Sequence, residues 1–259
     1  MPHSASRSNH AVPQIVVDHL TLAYGETVIQ QDLSFTVSRG DIFIIMGESG
    51  CGKSTLLRHM VGLDRPQQGD VFYEGKSFWT VDAATQARMM RRLGVLFQSG
   101  GLWSSLTLGE NVALPLQLYT RLPEHDICEL VALKLALVGL SGFEEYYPYE
   151  LSGGMQKRAG LARAMALDPD ILFFDEPSAG LDPMSSRLLD DLIVELRDSL
   201  GATVVVVTHE LESILAIGTN SVFLDADTQT MIASGPPRVL LQECPHPKVQ
   251  QFLRRRAPV

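Results

Sequence analysis

The sequence predicts an α/β fold: a mostly parallel β-sheet with an N-terminal antiparallel β subdomain and a helical insert. Three observations predict it. "DIFIIMG", ending at Gly47, is an unbroken apolar run, the composition of a strand buried on both faces. "DILFFDEP" and "ATVVVVTHE" repeat that signature with the helical "SSRLLDDLIVELRDSL" between them, the βαβ order of a parallel sheet. Between about 98 and 165 the period becomes helical, with Ile127, Leu130, Val131, Leu135 and Val138 recurring along "EHDICELVALKLALVGL".

In chain order, residues 1–14 read as a polar tail containing Pro2 and Pro13. "QIVVDHLTLAY" and "LSFTV", parted by Gly25, and then "DVFYEG" are the short β-type runs of the antiparallel sheet. The principal domain spans 15–245, with the helical subdomain at about 98–165 inside it. Residues 246–259, "PHPKVQQFLRRRAPV" from Pro245 on, form a short helix or tail with a basic run at Arg254, Arg255 and Arg256. There is no internal repeat.

With 259 residues, 45% of them hydrophobic, the chain can bury one substantial core or two small subdomains sharing it. Thirty acidic against 21 basic residues give a net charge of −9, so no overall field draws nucleic acid to the surface, and no nucleic-acid partner is expected. Cys51, Cys128 and Cys244 lie far apart without metal-ligand spacing, which suits a reducing compartment. The first residues lack the apolar stretch of a secretory signal, and no run reaches the ~20 apolar residues that span a bilayer. A cytosolic protein is expected, one that serves a membrane only through a partner.

The chemistry begins at Gly47-Glu48-Ser49-Gly50-Cys51-Gly52-Lys53-Ser54, which fits G-x-x-x-x-G-K-[ST] between a buried strand and a helix. The glycines let successive N–H groups curl into an anion nest at the helix start. Lys53 is then expected to reach the β- and γ-phosphates of a nucleotide, and Ser54 to ligate Mg²⁺. This makes the core that of a P-loop NTPase. Downstream, "ILFFDE" delivers Asp175 to a sheet edge, where it can hold Mg²⁺ from the second shell, and places Glu176 beside it to polarise a water. A second anion site follows at "LSGGM": Ser152 is a good N-cap, and Gly153 and Gly154 bare the backbone at another helix start. One nucleotide needs only one such site.

With these residues the chain resembles the ATP-binding subunits of ABC transporters, from about residue 15 to 240, and is most similar to those of lipid-trafficking systems built around MCE proteins, such as the Mla complex. The resemblance implies ATP and Mg²⁺ as cofactors and a homodimer in which the Ser152 loop closes over the γ-phosphate held by the partner's phosphate loop. It implies further roles by position. Tyr24 stacks on adenine; Thr55 adjoins the phosphates; Gln98 contacts Mg²⁺ and the attacking water and links the core to the insert. Asp182 of "SAGLD" communicates between subunits, and His209 of "VVVVTHE" senses the γ-phosphate. The signature reads LSGGM where glutamine is commonest in the fifth place, with Gln156 next; the phosphate contacts are expected to survive. Cys51 is expected to be a small spacer whose oxidation would block the nucleotide.

The same resemblance implies an integral membrane permease, whose coupling helix would dock near Leu102, Trp103 and Leu106, with an MCE-type substrate-binding protein and an accessory regulatory subunit as further partners. The expected place is the cytoplasmic face of the inner membrane, as a peripheral subunit moving phospholipid or another hydrophobic molecule. A transport ATPase for another substrate, and a non-transport ABC ATPase, are the alternatives. The basic C-terminus could touch lipid headgroups or a neighbouring subunit, or be solvated.

Overall fold

The structure, a computed structural model, describes residues 13–255; residues 1–12 of the expected tail and Arg256 of the basic run lie outside the described residues. The first elements are strands β1 (Ile15–Tyr24) and β2 (Thr27–Val37), joined by the turn at Gly25, then β3 (Ile42–Gly47) and helix α1 (Lys53–Met60). Next come β4 (Gln68–Tyr73), β5 (Lys76–Ser77), α2 (Ala83–Met90) and β6 (Leu93–Leu96). Helices α3 (Leu108–Tyr119), α4 (Glu124–Leu137) and α5 (Gly153–Ala164) make the insert. The chain returns through β7 (Ile171–Asp175), α6 (Pro183–Leu200), β8 (Thr203–Val207), α7 (Leu211–Ile217), β9 (Asn220–Asp225) and β10 (Thr230–Ser234). It ends with α8 (Pro237–Glu243) and α9 (Pro247–Leu253).

Two sheets result, as the apolar patterns require. The smaller is antiparallel, in the order β2-β1-β4-β5; the larger runs β10-β9-β3-β8-β7-β6. In the larger, β9, β3, β8, β7 and β6 are parallel to their neighbours, and only β10 pairs antiparallel. Every residue of β3 and β8 is buried. Their side chains alternate between two cores. Ile42, Ile44 and Met46 join Leu172, Phe174, Val204 and Val206 under the helices of the insert and C-terminal half. Phe43 and Ile45 join Ile171, Phe173, Val205 and Val207 under α1 and the antiparallel sheet. A parallel strand covered on both faces has no polar side to show, hence its unbroken apolar sequence.

The N-terminal end differs from the expected tail at its last residue, and the short helix expected at the other end is packed on the core. Gln14 is buried and donates its N–H to the Val37 carbonyl at 2.9 Å, so the small sheet begins there. At the other end α9 is docked, with Val249, Phe252 and Leu253 buried in the larger core and Phe252 edge-on to Phe223 at 5.1 Å. The helical spacing of apolar residues at 249, 252 and 253 makes that face.

Candidate active site

The parallel strands deliver the expected residues to one end of the sheet, outside their carboxyl ends, where a doubly covered α/β sheet leaves a crevice. Gly47 closes β3, Asp175 closes β7, Gln98 lies just beyond β6 and His209 just beyond β8. A cavity of about 430 Å³ there is lined by Tyr24, Ser49, Gly50, Gly52, Lys53, Ser54, Thr55, Gln98, Glu176 and His209.

Its floor is the loop from Gly47 to Ser54. Gly47 has φ 151°, and a Cβ there would stand 2.4 Å from the Leu224 carbonyl oxygen, so only a bare backbone lets the loop leave the sheet at that point. Buried Gln30 anchors the loop from outside, donating through Nε2 to the Cys51 carbonyl at 2.7 Å and the Asp225 carbonyl at 3.0 Å. Lys53 is buried, with Nζ donating to the carbonyls of Gly47 at 3.1 Å and Glu48 at 3.0 Å. Ser54 Oγ donates to Asp175 Oδ1 at 2.8 Å, across from α1 to the end of β7. Tyr24, largely exposed, stands at the rim with its hydroxyl 3.5 Å from Thr55 Oγ1.

Opposite the loop, Glu176 is buried with φ 47°, a left-handed conformation that strains a residue with a side chain. Its N–H is held by the Val207 carbonyl at 2.8 Å, which fixes the turn to β8. One carboxylate oxygen, Oε1, lies 2.8 Å from His209 Nδ1; the other, Oε2, is buried with no protein partner. A carboxylate oriented by an imidazole and free at its second oxygen can accept a proton from a water.

Cys51 does not line the cavity. It is buried behind the loop, and burial pushes its thiol up, against the opposing pull of Lys53. A protonated, enclosed thiol is a poor nucleophile, which argues against the expected oxidative block. Glu48 also points elsewhere, to Arg255 at the end of α9, whose guanidinium lies 2.6 Å away and stands over the Phe252 ring.

Ser152, Gly153, Gly154 and Asp182 form a separate surface outside the cavity. Ser152 caps α5, its Oγ accepting from Met155 N–H at 3.3 Å. Asp182 caps α6, accepting from the Ser185 hydroxyl at 2.6 Å, Ser185 N–H at 3.1 Å and Met184 N–H at 3.0 Å, and these bonds, the hydroxyl's foremost, hold its carboxyl below the ordinary value. The two caps are neighbours: a Cβ on Gly154 would lie 3.3 Å from Ser185 Oγ.

A second cleft, about 420 Å³, opens between the core and the insert, lined by Val61, Leu63, Met90, Arg91, Phe97 and Tyr119 among others. Arg91 stands over the Tyr119 ring at 5.3 Å. Leu102, Trp103 and Leu106 do not line it: Leu102 packs on the larger core and Trp103 is exposed. The apolar residues of that loop were legible, but helix α2, which lines the cleft through Ala87 and Met90, was not.

Sequence reasoning also missed Lys157, on the second turn of α5. It is buried, with Nζ bonded to the Gln98 carbonyl and 3.4 Å from the Glu176 carbonyl. Burial lowers its pKa, and the charges of Asp175 and Glu176 oppose that. A lysine in the polar run "QKRAG" gives no sequence signal of burial.

Fold and site define a nucleotide-binding ATPase with a phosphate loop, a carboxylate pair at the end of β7 and a second capped helix start. The chain belongs to the ABC transporter family, whose model matches residues 30–179, and it is an ATP-hydrolysing subunit of that family. It is 42% identical over 240 residues to the intermembrane phospholipid transport system ATP-binding protein MlaF of Haemophilus influenzae, covering 93% of this chain and 90% of that one. It is 39% identical over 247 residues to the probable ribonucleotide transport ATP-binding protein mkl of Mycobacterium tuberculosis, covering 95% and 68%. Among solved structures, the ATP-binding cassette MJ0796, a dimer in a post-hydrolysis state bound to ADP and Pi, is similar with a TM-score of 0.77 and 29% identity, over 85% of this chain and 97% of that one.

Proposed function

We propose that the chain works as a homodimer on the cytoplasmic face of the inner membrane, where it hydrolyses ATP to drive a permease that moves phospholipid or another hydrophobic molecule. The observation that carries the dimer is the division of the site. Lys53, Ser54, Gln98, Glu176 and His209 share one cavity, whereas Ser152, Gly154 and Asp182 lie on a surface outside it. Two copies facing each other would complete each nucleotide site with the other's capped helix start, as suits an anion flanked by N–H groups on two sides.

In this reading Tyr24 stacks on the adenine, while the N–H groups from Gly47 to Thr55, with Lys53, hold the β- and γ-phosphates. Ser152 and Gly154 of the second copy close over the γ-phosphate, and Asp182 carries the state of one site to the other. Glu176 accepts the proton of the attacking water through its free Oε2, and His209 fixes the carboxylate through Oε1 and faces the γ-phosphate. The hydroxyl of Ser54, the amide of Gln98 and the carboxylate of Asp175 are hard oxygen donors that fit Mg²⁺. When bound, that ion would neutralise charge on the β- and γ-phosphate oxygens. The Ser54 hydroxyl donates to Asp175 Oδ1 at 2.8 Å, so the carboxylate already orients the hydroxyl that would hold the ion.

The hydrophobic cargo is supported by the likeness to the phospholipid-transport relative; in this reading an MCE-type protein and an accessory subunit are further partners. No helix among the described residues is long and apolar enough to cross a membrane. In this reading the permease is a separate chain, seated in the cleft between core and insert at Met90, Phe97 and Tyr119. A second reading, transport of another solute, is favoured by the likeness to the ribonucleotide-transport relative.

Two measurements test this. With ATP, Glu176→Gln is expected to elute as a dimer in size exclusion, and a monomer would refute the shared site. Chain purified from membranes is expected to carry a permease and an MCE-type protein; a permease with a soluble solute receptor instead would favour the second reading.

A further inference from the structure

The same helix that presents Ser152 outward holds the inner machinery from behind. Lys157 lies about one and a half turns along α5 from the Ser152 cap, on the buried side. Its ammonium group donates to the carbonyl of Gln98 and approaches that of Glu176 at 3.4 Å. Two further contacts tie α5 to the Gln98 loop. A Cβ on Gly160 would lie 2.4 Å from the Gly100 carbonyl oxygen, and one on Gly100 would lie 3.6 Å from the Gln156 carbonyl oxygen. The helix therefore lies directly on the loop, and Lys157 carries the connection on to the strained backbone of Glu176.

We propose that Lys157 is a positioning residue that couples the two composite ATP sites of the dimer. This rests on the shared-site reading above. The N-terminus of α5 faces the nucleotide of the second copy, while Lys157 holds Gln98 and Glu176 around the nucleotide of its own. When the second copy's γ-phosphate draws the Ser152 cap inward, α5 moves as a rigid rod, and the lysine passes that displacement to the carbonyls of both residues. A buried ammonium suits this coupling because it offers several donors to acceptors from different elements, and leaving those acceptors unpaired is unfavourable.

The test is steady-state ATP hydrolysis by the full chain as wild type, Lys157→Met, Lys157→Arg and Glu176→Gln. Lys157→Met keeps the buried apolar stem and removes the donors. Its kcat is expected to fall about 10²-fold, the scale of a misplaced catalytic group, with KM for ATP within about threefold of wild type and a Hill coefficient below it. Lys157→Arg should recover part of both kcat and cooperativity. Far-ultraviolet circular dichroism and a melting curve check folding, and Lys157→Gln, with one donor group left, substitutes if the methionine variant does not fold. If Glu176→Gln forms no dimer with ATP, the shared-site reading fails. If it does form one, yet Lys157→Met keeps the wild-type kcat and Hill coefficient, or Lys157→Arg recovers neither, the coupling role is overturned.

Discussion

His209 Nδ1 lies 2.8 Å from Glu176 Oε1, the imidazole arriving from beyond β8 and the carboxylate from beyond β7. Because those strands are hydrogen-bonded neighbours, the contact is set by the sheet itself. The bond occupies one carboxylate oxygen and leaves the other without a partner. Two residues serving one proton transfer should not act additively. Glu176→Gln is expected to lower kcat by about 10² to 10⁴ and His209→Ala by less, with the double variant no slower than Glu176→Gln alone. Fluorescent-nucleotide binding should change little in any of them. A double variant slower by the product of the two effects would separate the pair.

Gly160 supplies a second expectation. It sits mid-helix, where alanine would ordinarily raise helix propensity. Here an added methyl would stand 2.4 Å from the Gly100 carbonyl and 2.8 Å from Leu96 Cδ1, so the loop bearing Gln98 must move. Gly160→Ala is expected to cost about 1–3 kcal/mol in chemical denaturation and to lower kcat more than it changes nucleotide binding. A neutral or stabilised variant would show that the loop yields freely.

These two sites mark how much the sequence told. Lys53, Ser54, Glu176 and His209 were legible because each follows closely on a strand whose apolar run is unmistakable, so a short motif fixed both its place and its neighbours. Lys157 and Gly160 were not, because their importance comes from a helix of the insert lying against a loop that is more than fifty residues away in sequence. The βαβ order and the insert are readable from periodicity. Strand β6, helix α2 and the β9–β10 pair are not, being short or only partly apolar. The docking of α9 is hidden by its length: a seven-residue helix beside a basic run resembles a solvated tail until Phe223 is seen beneath it.

That docking can be measured. Phe252 is buried edge-on against Phe223, and Lys248 ties the same helix to Asp225 at 2.6 Å. Phe252→Ala is expected to destabilise the chain by about 3–5 kcal/mol, the range for emptying a buried aromatic site. A loss under about 1 kcal/mol would mean that α9 is only loosely held, since surface substitutions stay in that range.

Asp190 offers the sharpest dependence on pH. It is buried on α6, accepts a bond from Ser213 Oγ of α7 at 2.7 Å, and has its pKa pushed up from the ordinary 3.8 to about 6. Burial is the main cause, the Ser213 bond opposes it, and the charges of Asp191 and Glu212 add to it. A carboxyl whose folded pKa lies above its unfolded one favours folding while protonated, and that contribution is lost as pH rises through about 6. At pH near 8 the ionised group then opposes folding by as much as about 3 kcal/mol. Asp190→Asn cannot ionise and keeps a partner for Ser213. Its stability relative to wild type should therefore rise steadily between about pH 4 and 7 and level off above, in urea titrations at each pH. A difference that stays flat across that interval would mean that Asp190 is already charged in the folded chain throughout, and that α6 and α7 tolerate the charge by another route.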